Sequence, residues 1–258
     1  MNLPPDAKSP LRIRALFAGI ADRYDLANDL LSLGIHRAWK ARAIRECGGL
    51  SGLRVLDAAT GTGDLAIRCA KAGAAQVVGI DLSDEMLRHA RIKARDAGTE
   101  GLIEFTRSDL VQSGLPDASF DRVMIAFGIR NVEEPKKGLD ALWKLLRPGG
   151  RLIILEFGDW GARGGGLKRL FLGYAKIALE RIGGIITGQR SAYTYLMQSS
   201  LEFPGADGFG LWLRELPGSQ PPRTISLFGG VAFLYRLDKV LEGAKQGSKL
   251  EQVPYRLS

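Results

Sequence analysis

The sequence predicts an α/β domain built on a doubly wound, mostly parallel sheet. Three observations carry this. An apolar strand, Arg54-Val55-Leu56, runs into Asp57 and then into the glycine turn Thr60-Gly61-Thr62-Gly63, where a helix opens at Asp64. Strand-like and helix-like segments then alternate up to residue 157, the spacing of a sheet covered on both faces. Finally, a β-branched and aromatic run broken by Gly229-Gly230 reads as a terminal hairpin.

Taken in order, residues 1–10 are proline-rich and loose. Residues 11–22 have helical spacing, with Leu16, Phe17 and Ile20 on one side. Residues 24–40 mix Tyr24, Asp25, Asn28, Ser32, His36 and Trp39 with apolar residues. Ser32 or Gly34 breaks a helix there, and a second one restarts over 35–47, so this polar-aromatic arm is a candidate lid or a covering helix pair. After the glycine turn, residues 64–71 form the first crossover helix and 76–81 the second strand, ending in Asp81. Ser83 caps the next helix, with Met86 at its third position and Arg88, Arg91, Lys93 and Arg95 on a solvated face. The third strand spans 103–106 and leads into Ser108-Asp109, whose hydroxyl and acid suit an adenine amino group. The fourth spans 119–127 and leads into Gly128-Ile129-Arg130-Asn131. A helix over 135–146, a turn at 146–150 and an apolar fifth strand over 151–157 complete the alternation.

Residues 161–223 break that rhythm. A glycine joint at 164–166 precedes a basic amphipathic helix over 167–186, which suits either its own domain or a membrane surface. Another helix covers 193–204, a loop 218–222 and the hairpin 224–236; the last twenty residues read as frayed. The expected organisation is a helical lid over 1–45, a main domain over 46–240 with 161–223 as a substrate-side helical insertion, and a polar tail over 241–258.

The glycine turn admits two chemistries. Gly61-Thr62-Gly63-Asp64-Leu65-Ala66 fits the G-x-G-x-x-A dinucleotide pattern. Yet Asp57 and Asp64 flank it, and carboxylates beside a pyrophosphate repel it. A cationic sulfonium cofactor, S-adenosylmethionine, needs acids there and no phosphate cradle. Asp81, 24 positions after Asp57, stands where an acid binds ribose hydroxyls.

Composition narrows the classes. No apolar run reaches the ~18 residues of a membrane span, and the first ten residues lack the core of a secretory signal. The isolated Cys47 and Cys69 suit a reduced cytoplasmic protein, and with only His36 and His89 no metal site is expected. The net charge of +8 divides as +4 over residues 1–45, −2 over 46–160 and +6 over 161–258. Basic flanks suit an anionic membrane surface, a nucleic acid, or solubility alone.

Together, D-x-x-T-G-T-G-D at 57–64, Ile80-Asp81-Leu82-Ser83, Ser108-Asp109-Leu110 and L-R-P-G-G at 146–150 resemble class I S-adenosylmethionine-dependent methyltransferases. The resemblance implies a seven-stranded Rossmann-like sheet with an antiparallel C-terminal hairpin. A narrower one follows from Y-D-L-A-N-D-L-L-S-L-G-I-H-R-A-W at 24–39, F-G-I-R-N-V at 127–132 and L-R-P-G-G-R-L-I-I-L-E-F at 146–157. These are similar to the signatures of the ubiquinone/menaquinone biosynthesis C-methyltransferases, over residues 14–237 or so. The sequence departs from that family at Ala27, Ala126 and Gly158 and over 205–223, around Pro217, Pro221 and Pro222.

The family implies methyl transfer from S-adenosylmethionine to a ring carbon of a lipophilic polyprenyl quinol, benzoquinol or naphthoquinol. The cofactor-binding set expected here is Asp57, Gly61, Thr62, Gly63, Asp81, Leu82, Met86, Ser108, Asp109 and Ala126. Arg130 is expected to stabilise a developing phenolate, Tyr24 to close over the sulfonium, and Asp25 or His36 to relay a proton. Transient contact with an anionic membrane, peripheral at its inner face, is expected; a homodimer is left open. No N-P-P-Y-type loop follows the fourth strand, so no nucleic-acid partner is expected. The alternatives are another small-molecule methyltransferase of this fold, a non-catalytic cofactor-binding partner protein, and, more remotely, an NAD-dependent oxidoreductase.

Overall fold

A computed structural model describes residues 6–158 and 190–241, together with residues 4, 166, 170, 173 and 174. The chain opens with α1 (Pro10–Ile20), α2 (Tyr24–Ser32) and α3 (Ile35–Glu46). There follow β1 (Arg54–Ala58), α4 (Asp64–Lys71), β2 (Gln76–Asp81), α5 (Asp84–Asp96), β3 (Ile103–Arg107) and β4 (Phe120–Ala126). Then come α6 (Pro135–Leu145), β5 (Leu146–Phe157), α7 (Arg190–Glu202), α8 (Ala206–Arg214), β6 (Arg223–Leu227) and β7 (Ala232–Asp238). The seven strands form one sheet in the order β3-β2-β1-β4-β5-β7-β6. Strands β1 to β5 pair in parallel, and β7 runs antiparallel to both β5 and β6.

Both faces of the sheet are buried along its central strands. Along β1, Val55 packs with Trp39, Ala43, Leu65, Cys69, Leu87 and Ala90 from α3, α4 and α5. Its neighbour Leu56 packs on the opposite face with Leu139, Leu142, Phe209 and Leu213 from α6 and α8. Successive side chains of a strand point to opposite faces, so a strand buried on both reads as an unbroken apolar run. The direction of winding reverses between β1 and β4, and a crevice opens at such a switch point beyond the strands' carboxyl ends. There the chain leaves β1 through Ala59 and β4 through Phe127, both left-handed (φ 52° and 56°). Gly128 has no side chain because one would lie 2.7 Å from Ala59 Cβ.

The N-terminal helices cover this crevice. Ile20, Ala21 and Ala27 pack with Met86 of α5, and Ile13 packs with Ala7 and Tyr195 of α7. The expected break falls at Leu33 and Gly34, both left-handed (φ 51° and 73°), between α2 and α3.

One expected element is different. Residues 146–150 are not a turn before the fifth strand but its first half. Phe120 pairs with Leu146 and Arg122 with Arg151, so Arg147-Pro148-Gly149-Gly150 bulges out of the ladder opposite the single residue Asp121. Pro148 has no N–H to give a ladder, and Gly149 takes φ 75°. The divergent segment 205–223 holds α8 and a loop fixed by the Trp143 indole, which donates to the Pro217 carbonyl at 2.8 Å. The glycine joint at 164–166 and the helix at 167–186 lie outside the described residues except for Gly166, Leu170, Gly173 and Tyr174. The tail lies outside them beyond residue 241.

Candidate active site

Two cavities meet at the carboxyl edge. The first, of about 260 Å³, lies over β2, β3 and β4 and is bordered by Asp81, Leu82, Met86, Ser108, Asp109 and Gly61. Ile13 and Phe17 of α1 roof it. The second, of about 120 Å³, is bordered by Leu31, Ser32, His36, Lys40, Arg130, Phe157, Leu196 and Ser200. Tyr24, Ala59, Gly61, Ala126 and Phe127 border both, and therefore form the wall the two share.

The glycine turn is held by acids that face into the protein. Asp57 Oδ2 accepts from the Thr60 hydroxyl at 2.6 Å and from the Ala66 N–H at 2.9 Å. Burial pushes the Asp57 carboxyl up to about 7, against those two hydrogen bonds. Asp57 thus fastens the turn to the first residues of α4 and touches only the second cavity. Gly63 borders neither cavity; its φ of 80° and the nearness of Ala90 and Phe105, 3.0 Å from any added Cβ, make it a packing glycine. The acid that borders the first cavity at the turn is Asp81. It accepts from the N–H of Gly61 at 2.9 Å and of Ser83 at 3.0 Å, and burial raises its pKa. Ser83 Oγ in turn caps α5 through the Met86 N–H, as expected.

Asp64 reads in sequence as an acid flanking the glycine turn, and Lys93 as part of a solvated face. The structure pairs them. Asp64 accepts from Lys40 at 2.9 Å and from Lys93. Burial works against its charge, yet the two ammonium groups hold its carboxyl well below the usual range. Lys93 also donates to Asp25 at 2.7 Å and to Thr62 Oγ1 at 3.1 Å, and the Thr62 hydroxyl donates to Asp25 at 2.7 Å. Asp25 therefore ties α2 to the glycine turn and borders neither cavity. Its long-range partners carry no local sequence signal, because α2, the turn and α5 meet only through the fold.

Arg130 sits on a single 3-10 turn after β4 and is 3% exposed. Its Nη1 donates to Glu156 at 2.6 Å and to the Phe127 carbonyl at 2.8 Å, and its guanidinium lies 5.1 Å from the centre of the Phe157 ring. The sequence showed no partner for Arg130; the end of β5 supplies one in Glu156, which is fully buried. Arg130 Nε is buried without a partner among the described residues. Burial pushes the Tyr24 phenol up to about 12, so at neutral pH it is a neutral hydroxyl on an aromatic face. No cluster of metal-ligating side chains occurs among the described residues.

A strand-turn-helix opening onto a cavity, an acid ending the second strand and an antiparallel closing hairpin define the class I S-adenosylmethionine-dependent methyltransferase fold. Solved proteins share it: a putative S-adenosylmethionine-dependent methyltransferase of Methanococcus maripaludis superposes with TM-score 0.60 at 19% identity, over 87% of this chain and 94% of that one. Magnesium protoporphyrin IX methyltransferase of Synechocystis, solved with bound SAH, gives TM-score 0.59 at 22% identity, over 88% and 98%. Within this class the chain belongs to the ubiE/COQ5 methyltransferase family, whose model matches residues 6–235. It is 41% identical over 229 residues to the ubiquinone/menaquinone biosynthesis C-methyltransferase UbiE of Bdellovibrio bacteriovorus, covering 88% of this chain and 96% of that one. It is 43% identical over 209 residues to the demethylmenaquinone methyltransferase of Deinococcus radiodurans, covering 78% and 83%.

Proposed function

We propose that the protein transfers the methyl group of S-adenosylmethionine to a ring carbon of a polyprenyl quinol, either demethylmenaquinol or a 2-polyprenyl-6-methoxy-benzoquinol. The observation that carries this is the pair of cavities with one shared wall at Tyr24, Gly61, Ala126 and Phe127. The names of the relatives at 41% and 43% identity support the same chemistry.

The first cavity fits the donor. Asp81, Asp109, Glu133 and Glu134 border it against Lys8 and Lys137, so a pyrophosphate meets more negative than positive charge there. Asp81 suits ribose hydroxyls, Ser108 and Asp109 the adenine amine, and Leu82 and Met86 the faces of the base. When bound, S-adenosylmethionine supplies a methyl group already activated by its sulfonium, so alignment is the main task left to the protein. Tyr24 presents an aromatic ring beside the turn, which favours a cation there.

The second cavity fits the ring. Phe127, Phe157, Leu31 and Leu196 give it apolar walls, and Arg130 places N–H groups among them. A ring hydroxyl that gives its proton to solvent makes the neighbouring carbon nucleophilic, Arg130 stabilises the resulting oxyanion, and the ring carbon's own proton leaves to solvent once that carbon carries the methyl group. The basic flanks dock the protein on anionic lipid, where the isoprenoid tail resides. No helix among the described residues is long and apolar enough to cross a membrane.

The test uses labelled donor and a short-tailed demethylmenaquinol. Arg130→Lys keeps a charge for Glu156 but loses the planar fork. It is expected to bind the donor normally and to lower kcat by about 10²-fold. Full turnover in Arg130→Lys contradicts the role given to Arg130.

A further inference from the structure

The tautomer of His36 is readable from its neighbours. The left-handed pair Leu33-Gly34 reverses the chain between α2 and α3, so that Ser32 and His36 meet beside the second cavity. Ser32 Oγ lies 2.6 Å from the Asn28 carbonyl oxygen and 2.7 Å from His36 Nδ1. A carbonyl oxygen only accepts, so the single hydroxyl proton goes to Asn28. Ser32 Oγ then accepts from His36, and Nδ1 carries the ring proton. The reverse assignment sets two oxygen lone pairs against each other at 2.6 Å. Nε2 keeps its lone pair and has no hydrogen bond among the described residues. Asp29 Oδ1, 3.7 Å from it, belongs to a carboxylate already held by Arg37 at 2.7 and 2.5 Å, and offers no proton. The ring is neutral at physiological pH. Burial, Lys40 and Arg37 oppose its protonation, Asp29 and Asp64 favour it, and the balance lowers the pKa to about 4.

We infer that His36 is a specificity-determining residue: its Nε2 accepts a hydrogen bond from a hydroxyl of the reduced ring and thereby rejects the oxidised ring. This rests on the quinol reading above. A quinol presents an O–H where the quinone presents only carbonyl lone pairs, which face Nε2 unpaired and repelled. Arg130 cannot make this distinction, because its N–H groups donate to a hydroxyl, an oxyanion or a carbonyl alike. Ser32 is a positioning residue that acts by fixing the tautomer.

Two measurements on the full chain test it. The chain has two histidines, so His89→Gln leaves one imidazole to follow by nitrogen-15 NMR. At pH 7 the expected spectrum has Nδ1 protonated and Nε2 bare, and Ser32→Ala gives a mixture of tautomers. The second measurement is binding of a short-tailed naphthoquinone and its dithionite-reduced quinol, with S-adenosylhomocysteine present. Wild type is expected to prefer the reduced ring by about tenfold, and Ser32→Ala and His36→Phe to bring the ratio within about twofold. A protonated Nε2 in wild type, or an unchanged ratio in both variants, overturns the inference. Ring methylation with an unchanged ratio overturns His36 alone. A preference for the reduced ring without methylation of any quinol supports His36 and overturns the quinol reading instead.

Discussion

At single residues, the buried charges decide what the site tolerates. Arg130→Ala leaves the fully buried Glu156 without its one side-chain partner among the described residues. It is expected to cost about 3–5 kcal/mol of stability. Adding Glu156→Gln should recover most of that in urea melts without restoring turnover. Asp57 gives a pH signature. Its folded pKa is raised to about 7, above the usual carboxylate value of 3.8, so the folded state holds the proton more tightly than the unfolded chain. Its contribution is therefore complete below about pH 4 and declines as pH rises through the folded value of about 7. Asp57→Asn should remove that decline, seen as a smaller loss of Tm between pH 5 and 8 than in wild type. His36 has the opposite sign. Its folded pKa lies at about 4, below its usual 6.5, so its contribution is lost as pH falls through that window. Neither shift is legible in sequence, since both arise from burial that only the packed fold creates.

At the level of elements, the Asp25 side chain helps fasten α2 over the crevice. Asp25 joins it to Thr62 of the glycine turn and to Lys93 of α5. Because this cluster is partly exposed, Asp25→Asn is expected to change global stability by less than about 1 kcal/mol. Amide exchange in α2 should nevertheless quicken by about tenfold, and the KM for the donor should rise; unchanged α2 exchange contradicts this fastening role of Asp25. The glycine turn is less forgiving. Gly63→Ala forces a left-handed residue against Ala90 and Phe105 and should cost about 1–3 kcal/mol in a denaturant titration. The strand-turn-helix unit was legible because apolar runs, Ser83 and the glycines act locally. The bulge at 147–150 was not, because Pro148 and Gly149 signal a turn equally well inside or before a strand.

At the scale of the whole molecule, the order of elements was readable and their meeting points were not. Alternating strands and helices with a closing hairpin lead to the seven-stranded sheet. Asp81, Leu82, Met86, Ser108 and Asp109 fall together on one cavity because parallel strands carry their carboxyl ends to one edge. Lys40 and Lys93, which hold the neighbouring charge of Asp64, come from separate elements and had no motif to mark them, while Glu156 lay in the 146–157 signature with nothing there to pair it with Arg130. The uneven charge, +4 and +6 on the flanks against −2 in the middle, belongs to this scale as well. Flotation should recover more protein on anionic than on neutral vesicles, and equal recovery contradicts lipid docking through charge. The central claim is that one cavity holds a cationic methyl donor while the other presents a reduced ring to it across Tyr24 and Phe127. Mass spectrometry after incubation with isotopically labelled S-adenosylmethionine and a short-tailed demethylmenaquinol tests it most directly. A single labelled methyl on a ring carbon is the expected product. Donor that binds without any transfer, or a label on a ring oxygen, contradicts it.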